Sequence, residues 1–220
     1  MSGSSQHDWI GNVRRALGRT GPLAVAPAPP EIDEPIVRLV HSDIRLAELF
    51  LQTAKKANFV TDSVSPEELA QRLIDFLKSQ NCRRVGLANS EIIESLNLPA
   101  KLRESGFDAI SWNDLTLDET YDLDCGVTDV WAAVAETGSL AIRPEPGNGR
   151  ALSLIPPIHV AIVEPKKIVA DLLDLFEKMA SDEPGAAVSL ITGPSQTADI
   201  EAVMVTGVHG PGLVRVLVVI

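Results

Sequence analysis

The clearest hydrophobic pattern in the chain lies near its end, over residues 188–212, which read V-S-L-I-T-G-P-S-Q-T-A-D-I-E-A-V-M-V-T-G-V-H-G-P-G. The apolar run ending at Ile191 predicts a buried strand, which Thr192-Gly193-Pro194-Ser195 interrupts. Residues 196–203 have the composition of a short helix, and Gly207-Val208-His209-Gly210-Pro211-Gly212 leads into the apolar run 213–220. Strand, glycine turn, helix N-terminus and second glycine turn is how open α/β folds build a site at the carboxyl ends of strands. On this pattern the rest of the chain supplies the sheet on which that segment sits.

Earlier in the chain, Trp9, Ile10, Val13 and Leu17 recur at helical spacing within 8–18, with Gly18 placed as a C-terminal cap. Residues 20–35 hold Pro22, Pro27, Pro29, Pro30 and Pro35 and predict a stiff, extended linker. Ser42 can cap a helix with the apolar face Ile44, Ala47, Phe50, Leu51 and Ala54. Ser65-Pro66-Glu67-Glu68 is a capping box with proline at the first helical position, followed by the stripe Leu69, Leu73, Ile74, Leu77. From Arg84 onward, strands are predicted over 85–88, 107–110, 159–164, 187–191 and 214–220. Helices are predicted over 91–96, 99–105 and 166–180, the last with Val169, Leu172, Leu173, Phe176 and Met179 inward. Residues 114–124 are acidic and read as a solvated loop. Helices alternating with short, almost wholly apolar strands predict an α/β fold: a mainly parallel sheet with helices on both faces. The predicted division is an N-terminal helix and proline-rich linker over 1–40 and an α/β domain over 41–220.

Charge narrows the function. A formal net charge of −11, from 30 acidic against 19 basic residues, argues against nucleic acid or an anionic membrane as a partner. With no signal-peptide pattern and no long apolar run, the expectation is a cytoplasmic protein without membrane insertion. Cys82 and Cys125 are too few to ligate an iron–sulfur cluster of the usual four-thiolate kind, so any redox centre is expected in a partner.

Two stretches could carry chemistry. In V-T-D-V-W-A-A-V-A-E-T-G-S-L-A-I (127–142), Glu136 sits in an otherwise apolar run before a Thr-Gly-Ser turn. A carboxylate partly withdrawn from water there suits nucleophilic or acid–base use, with Thr137, Ser139 and the Gly138 amide around an oxyanion or a substrate carboxylate. The alternative is a tight turn whose glutamate faces solvent. In the second stretch, Gly193, Ser195, Thr197 and Asp199 could cradle a ligand through backbone N–H groups. Asp199 and Glu201 make a hydroxyl, ammonium or ribose ligand, or an internal cap, at least as fitting as a phosphate. His209, in its glycine-rich turn, is either a base or carboxylate ligand or an incidental loop residue. Arg143 and Arg150 flank the loop 144–149, which could close on an anion or be an ordinary surface loop. His159 is taken as structural. No cluster has metal-ligand spacing, and no dinucleotide or nucleotide phosphate loop occurs.

Several segments together resemble one family. Val127-Thr128-Asp129, Ala135-Glu136-Thr137-Gly138-Ser139, and Arg150 with Ser153-Leu154-Ile155-Pro156-Pro157 come first. Gly193-Pro194-Ser195-Gln196-Thr197-Ala198-Asp199-Ile200-Glu201 and Gly207-Val208-His209-Gly210-Pro211 follow. This order is similar to that of the LUD-domain family, in its lactate utilization protein C (LutC/YkgG) type. The resemblance spans about 84–220, and the opening D-W-I-x-x-V-R-R-A-L fits it too. It implies a fold akin to the NagB/RpiA/CoA-transferase group. It further implies a non-redox subunit that takes part in oxidising L-lactate to pyruvate, a small organic acid being its ligand. Lactate utilization proteins A and B would be the partners and would carry the iron–sulfur clusters, this chain holding no cofactor. Gln196 stands where the family commonly has arginine, which puts anion binding at that loop in question. The alternatives are a stand-alone CoA-transferase-like enzyme with Glu136 as acyl acceptor, or a small-molecule-binding regulatory domain using the Ser195 and His209 turns.

Overall fold

The computed structural model describes residues 6–19, 21, 28, 33, 38, 40, 45–182, 187–197 and 204–220. The chain divides into two units, Met1–Val37 and Arg38–Ile220. In the first, helix α1 (Gln6–Ala16) ends before Gly18, whose φ of 68° is the left-handed conformation of a glycine cap. Ser42 and Ile44 of the predicted second helix lie outside the described residues.

The second unit is built on six strands: β1 (Val60–Val64), β2 (Arg84–Leu87), β3 (Asp108–Ser111), β4 (Cys125–Asp129), β7 (Ile158–Val163) and β12 (Leu213–Val219). They form one sheet in the order β1-β12-β7-β4-β2-β3, every neighbouring pair parallel. The expected parallel sheet is therefore present, with the C-terminal strand β12 inside it between β1 and β7. The interior strands β7 and β12 are largely buried, which explains their mostly apolar sequences, broken only by His159 and Arg215. Helices α3 (Pro66–Ser79), α4 (Glu91–Ser95) and α5 (Leu98–Glu104) contribute Leu69, Leu73, Leu77, Ile93 and Leu102 to the core containing Val127, Val160 and Ile162. In α3 the capping box forms as expected, Ser65 and Glu68 each accepting from the other's backbone amide. Against the other face, α2 (Leu46–Lys56) packs Phe50 and Ala54 with Ala161, Val163, Val214, Val216 and Val218. Helix α6 (Ala151–Leu154) crosses β4 at Gly126, where a Cβ would run into the Leu152 carbonyl.

A smaller sheet, β8-β5-β6-β9, joins that second face through Leu140 and Ile142. It contains β5 (Ala132–Val134), β6 (Ser139–Ile142), β8 (Ile168–Val169) and β9 (Ser189–Ile191). The predicted strand at 187–191 thus forms but belongs to this sheet. The predicted helix over 166–180 begins later. Pro165–Lys167 is a 3-10 turn, Ile168 and Val169 extend to pair with β5, and Asp171 caps helix α7 (Leu172–Ser181) by accepting from the Asp174 amide at 3.0 Å. That start turns Leu175 inward and leaves Phe176 and Met179 exposed, contrary to the expected face.

The predicted helix at 196–203 is corrected where it is described: Gln196–Thr197 is strand β10, antiparallel to β11 (Val205–Thr206). The Ser195 amide donates to the Pro211 carbonyl at 2.8 Å, and its carbonyl accepts from the Gly207 amide at 2.8 Å. The backbone groups a helix would start from are already engaged across the chain. Residues 198–203 lie outside the described residues. No helix among the described residues is long and apolar enough to cross a membrane.

Candidate functional site

The strand order contains one reversal. From β2 the chain moves outward to the edge strand β3; from β4 it moves the other way, toward β7. The connections leaving β2 and β4 therefore diverge, and a crevice opens beyond their carboxyl ends, the position at which open α/β sheets hold ligands. It encloses about 300 Å³, between Asn89 and Ser90 after β2, Asp129 at the end of β4 and Trp131 after it, Lys167 after β7, and Asn148 from the loop 143–149.

Hydrogen bonds tie that loop down. The Asn89 amide donates to the Gly147 carbonyl at 2.7 Å, and the Asn89 side-chain oxygen accepts from the Asn113 amide at 3.1 Å. Glu145 and Asn148 exchange backbone hydrogen bonds at 3.1 and 2.9 Å, closing the turn. Lys167 Nζ lies 2.7 Å from Asp129 Oδ2 and 3.5 Å from Glu164, while Asn148 Nδ2 donates to Asp129 Oδ1 at 3.4 Å. Burial raises the Glu164 carboxyl, but the Lys166 hydrogen bond and the Lys167 charge outweigh it, leaving the pKa below its ordinary value. Arg143 pairs with Glu145 at 2.8 Å and Asp182 at 3.3 Å and lies 5.0 Å from the Trp131 ring centre. Two polar atoms here are buried without a hydrogen-bond partner among the described residues: Ser90 Oγ and Asn148 Oδ1. Ser90 is the N-cap residue of α4, yet its hydroxyl makes no cap hydrogen bond.

Near the start of β7, His159 is fully buried, with Nε2 2.9 Å from Thr128 Oγ1 and Nδ1 without a partner among the described residues. Burial pushes its pKa down to about 4, so it is neutral at pH 7. Its place inside the sheet fits the structural role expected of it.

The residues singled out in the sequence fall into separate places. Glu136, Thr137 and Gly138 make the turn between β5 and β6. Gly138, at φ 69°, lies so close to Thr53 and Ala54 of α2 that a Cβ would strike their backbone. The Thr53 hydroxyl donates to the Ala135 carbonyl at 2.7 Å, and the Glu136 amide to that of Ala170 at 2.9 Å. The half-buried Glu136 carboxylate has no hydrogen bond or ion pair among the described residues. Ser139 Oγ sits 2.7 Å from the Thr137 hydroxyl and 2.6 Å from that of Thr192, so pairing of β6 with β9 brings the two predicted turns together. Gly193 follows against the Ala57 carbonyl.

Ser195 packs beside Gly210, and His209 is exposed on a second, more open groove of about 430 Å³ with Tyr121, Leu154, Pro157 and Val208. These residues precede β4, β7 and β12, so the groove lies at the amino ends of the parallel strands. The segment 207–212 therefore does not build a site at their carboxyl ends, as its pattern suggested; the crevice there is made by other residues. Thr197 is in the β10–β11 ribbon, and Asp199 lies outside the described residues. Arg150 is exposed at the start of α6 and has no ion pair among the described residues. Sequence reasoning missed Asn89, Ser90, Asn148 and Lys167, and quoted Asp129 without giving it a role. The available signal was a serine at a helix start and a lysine in the turn that follows a strand. No group of three or more His, Cys, Asp or Glu among the described residues could hold a metal ion.

Comparison with known proteins agrees with this architecture. Lactate utilization protein C of Halalkalibacterium halodurans is 26% identical over 92% of this chain and 92% of its own length. Lactate utilization protein C of Deinococcus radiodurans is 29% identical over 96% of this chain and 94% of its own. The crystal structure of a DUF162 family protein from Deinococcus radiodurans superposes with a TM-score of 0.61 at 25% identity, covering 81% of this chain and 99% of that one. A family model described as LUD domain matches residues 39–219, nearly the whole of the second unit, and the chain belongs to the LUD-domain family.

Proposed function

We propose that this chain is a subunit of an L-lactate utilization system, taking part in the oxidation of L-lactate to pyruvate beside two iron–sulfur proteins, lactate utilization proteins A and B. The observation that carries this reading is that relatives named lactate utilization protein C align over more than nine-tenths of the chain. Cys82 and Cys125 are both buried in the core and too few to ligate a four-thiolate cluster, which supports a reading in which electron transfer belongs to the partners. In this reading Arg150, an exposed guanidinium without an ion pair among the described residues, meets the lactate carboxylate.

The test is deletion of the gene in its native host. Growth on L-lactate as sole carbon source is lost and returns with the wild-type gene; undiminished growth without it overturns the reading. Affinity capture of the tagged chain from L-lactate-grown cells brings down iron, labile sulfide and lactate-dependent dye reduction. Complementation by Arg150→Gln requires about tenfold more lactate for the same growth rate, one charge-assisted contact being lost.

A further inference from the structure

We propose that the crevice beyond β2 and β4 binds the vicinal hydroxyls of a neutral polyhydroxylated small molecule, either a free sugar or the ribose of a nucleoside.

Charge decides first. The crevice is lined by the carboxylates Glu91, Asp129 and Glu145 and the cations Arg143 and Lys167. Both cations are engaged, Lys167 by Asp129 and Glu164 and Arg143 by Glu145 and Asp182. A carboxylate or phosphate entering here meets two cations that are already paired, and of the three carboxylates only the exposed Glu91 has no ion pair among the described residues. An anionic ligand would be desolvated without compensation, and a cationic one would find only the solvent-screened carboxylate of Glu91.

Hydrogen bonding decides next. Asn148 is 8% exposed, and its Oδ1 has no partner. A carbonyl oxygen only accepts, so its complement carries an O–H or N–H and is not an anion's oxygen. Ser90 Oγ, the second unpartnered atom, both donates and accepts, as does a ligand hydroxyl. Asn148 Nδ2 is bonded to Asp129 Oδ1 at 3.4 Å, so the amide oxygen and the carboxylate stand side by side, matching two neighbouring hydroxyls. The volume of about 300 Å³ suits a molecule of sugar or nucleoside size and is large for lactate. This inference stands apart from the lactate reading, because the group it recognises carries no carboxylate.

The test is saturation-transfer NMR and calorimetry on the full chain with D-ribose, D-glucose, adenosine and L-lactate as separate probes. Saturable binding of at least one diol is expected, weakened about tenfold in both Ser90→Ala and Asn148→Ala, each losing a buried hydrogen bond. Circular dichroism checks that both variants fold, and Ser90→Ala carries the test if Asn148→Ala does not. Adenosine preferred over ribose identifies a nucleoside; glucose and ribose without adenosine identify free sugars. No saturable diol binding up to about 10 mM, where binding would be weaker than about 3 kcal/mol, overturns the proposal. Diol binding untouched by Ser90→Ala also overturns it. Saturable L-lactate binding without any diol would do the same while leaving the lactate reading intact. Diol binding together with normal growth of the deletion strain on L-lactate would leave this inference standing and remove the other.

Discussion

Gly138 is the residue at which the second sheet is fixed to the helical layer. Its φ of 69° and the backbone of Thr53 and Ala54 directly beyond its missing Cβ leave no room for a side chain. Gly138→Ala combines a left-handed alanine with overpacking and is expected to cost roughly 2–4 kcal/mol in urea unfolding. His159 sets a pH dependence. Its pKa falls from 6.5 in the unfolded chain to about 4 in the folded one, a difference of roughly 3 kcal/mol. The unfolded chain binds the proton more readily, so this contribution is complete above pH 6.5 and is lost as the pH falls through 4. Unfolding free energies measured between pH 7 and 4 should decline more steeply in the wild type than in His159→Gln; parallel curves would remove His159 as the cause.

Helix α3 shows what local sequence can specify. Its capping box, N1 proline and stripe Leu69, Leu73, Ile74, Leu77 lie within one segment, and all form as read. Ser65→Ala should cost about 1 kcal/mol of stability by denaturant titration, and less in a Glu68→Ala background, because the two caps are reciprocal. Elements that depend on distant pairing were less legible. β1 carries Thr61 and Asp62 at half-exposed positions and Ser63 at an exposed one, as an edge strand can, and so lacks an apolar run. Ile168 and Val169 have a helical pattern by spacing, yet pairing with β5 draws them into a strand. Gln196 and Thr197 pair with β11, next to a Ser195 whose backbone is already bonded to Pro211 and Gly207. The crevice was hidden for the same reason. Ser90, Asp129, Asn148 and Lys167 are ordinary residues at scattered positions, and only the strand order brings them together.

At the scale of the molecule, protection should follow sheet position. Amides of β4, β7 and β12, flanked by strands on both sides and buried, should exchange hydrogen only through global unfolding. The exposed β11 should exchange by local opening, orders of magnitude faster. Hydrogen-exchange mass spectrometry checks this, and equal protection of the two would contradict the assignment of the core. The net charge of −11 predicts that the protein passes through a DNA column at about 0.15 M salt.

The two cysteines have a practical consequence. Cys82 and Cys125 are both buried; burial pushes the first thiol up to about 11 and the second well above its ordinary value. Thiol reagents act on the thiolate, so at neutral pH the folded protein offers a maleimide almost nothing. The native chain therefore behaves as a cysteine-free background for spectroscopic labelling. A Pro146→Cys substitution at the exposed tip of the 143–149 loop would supply its single reactive thiol, and a fluorophore there would report directly on whatever enters beneath it.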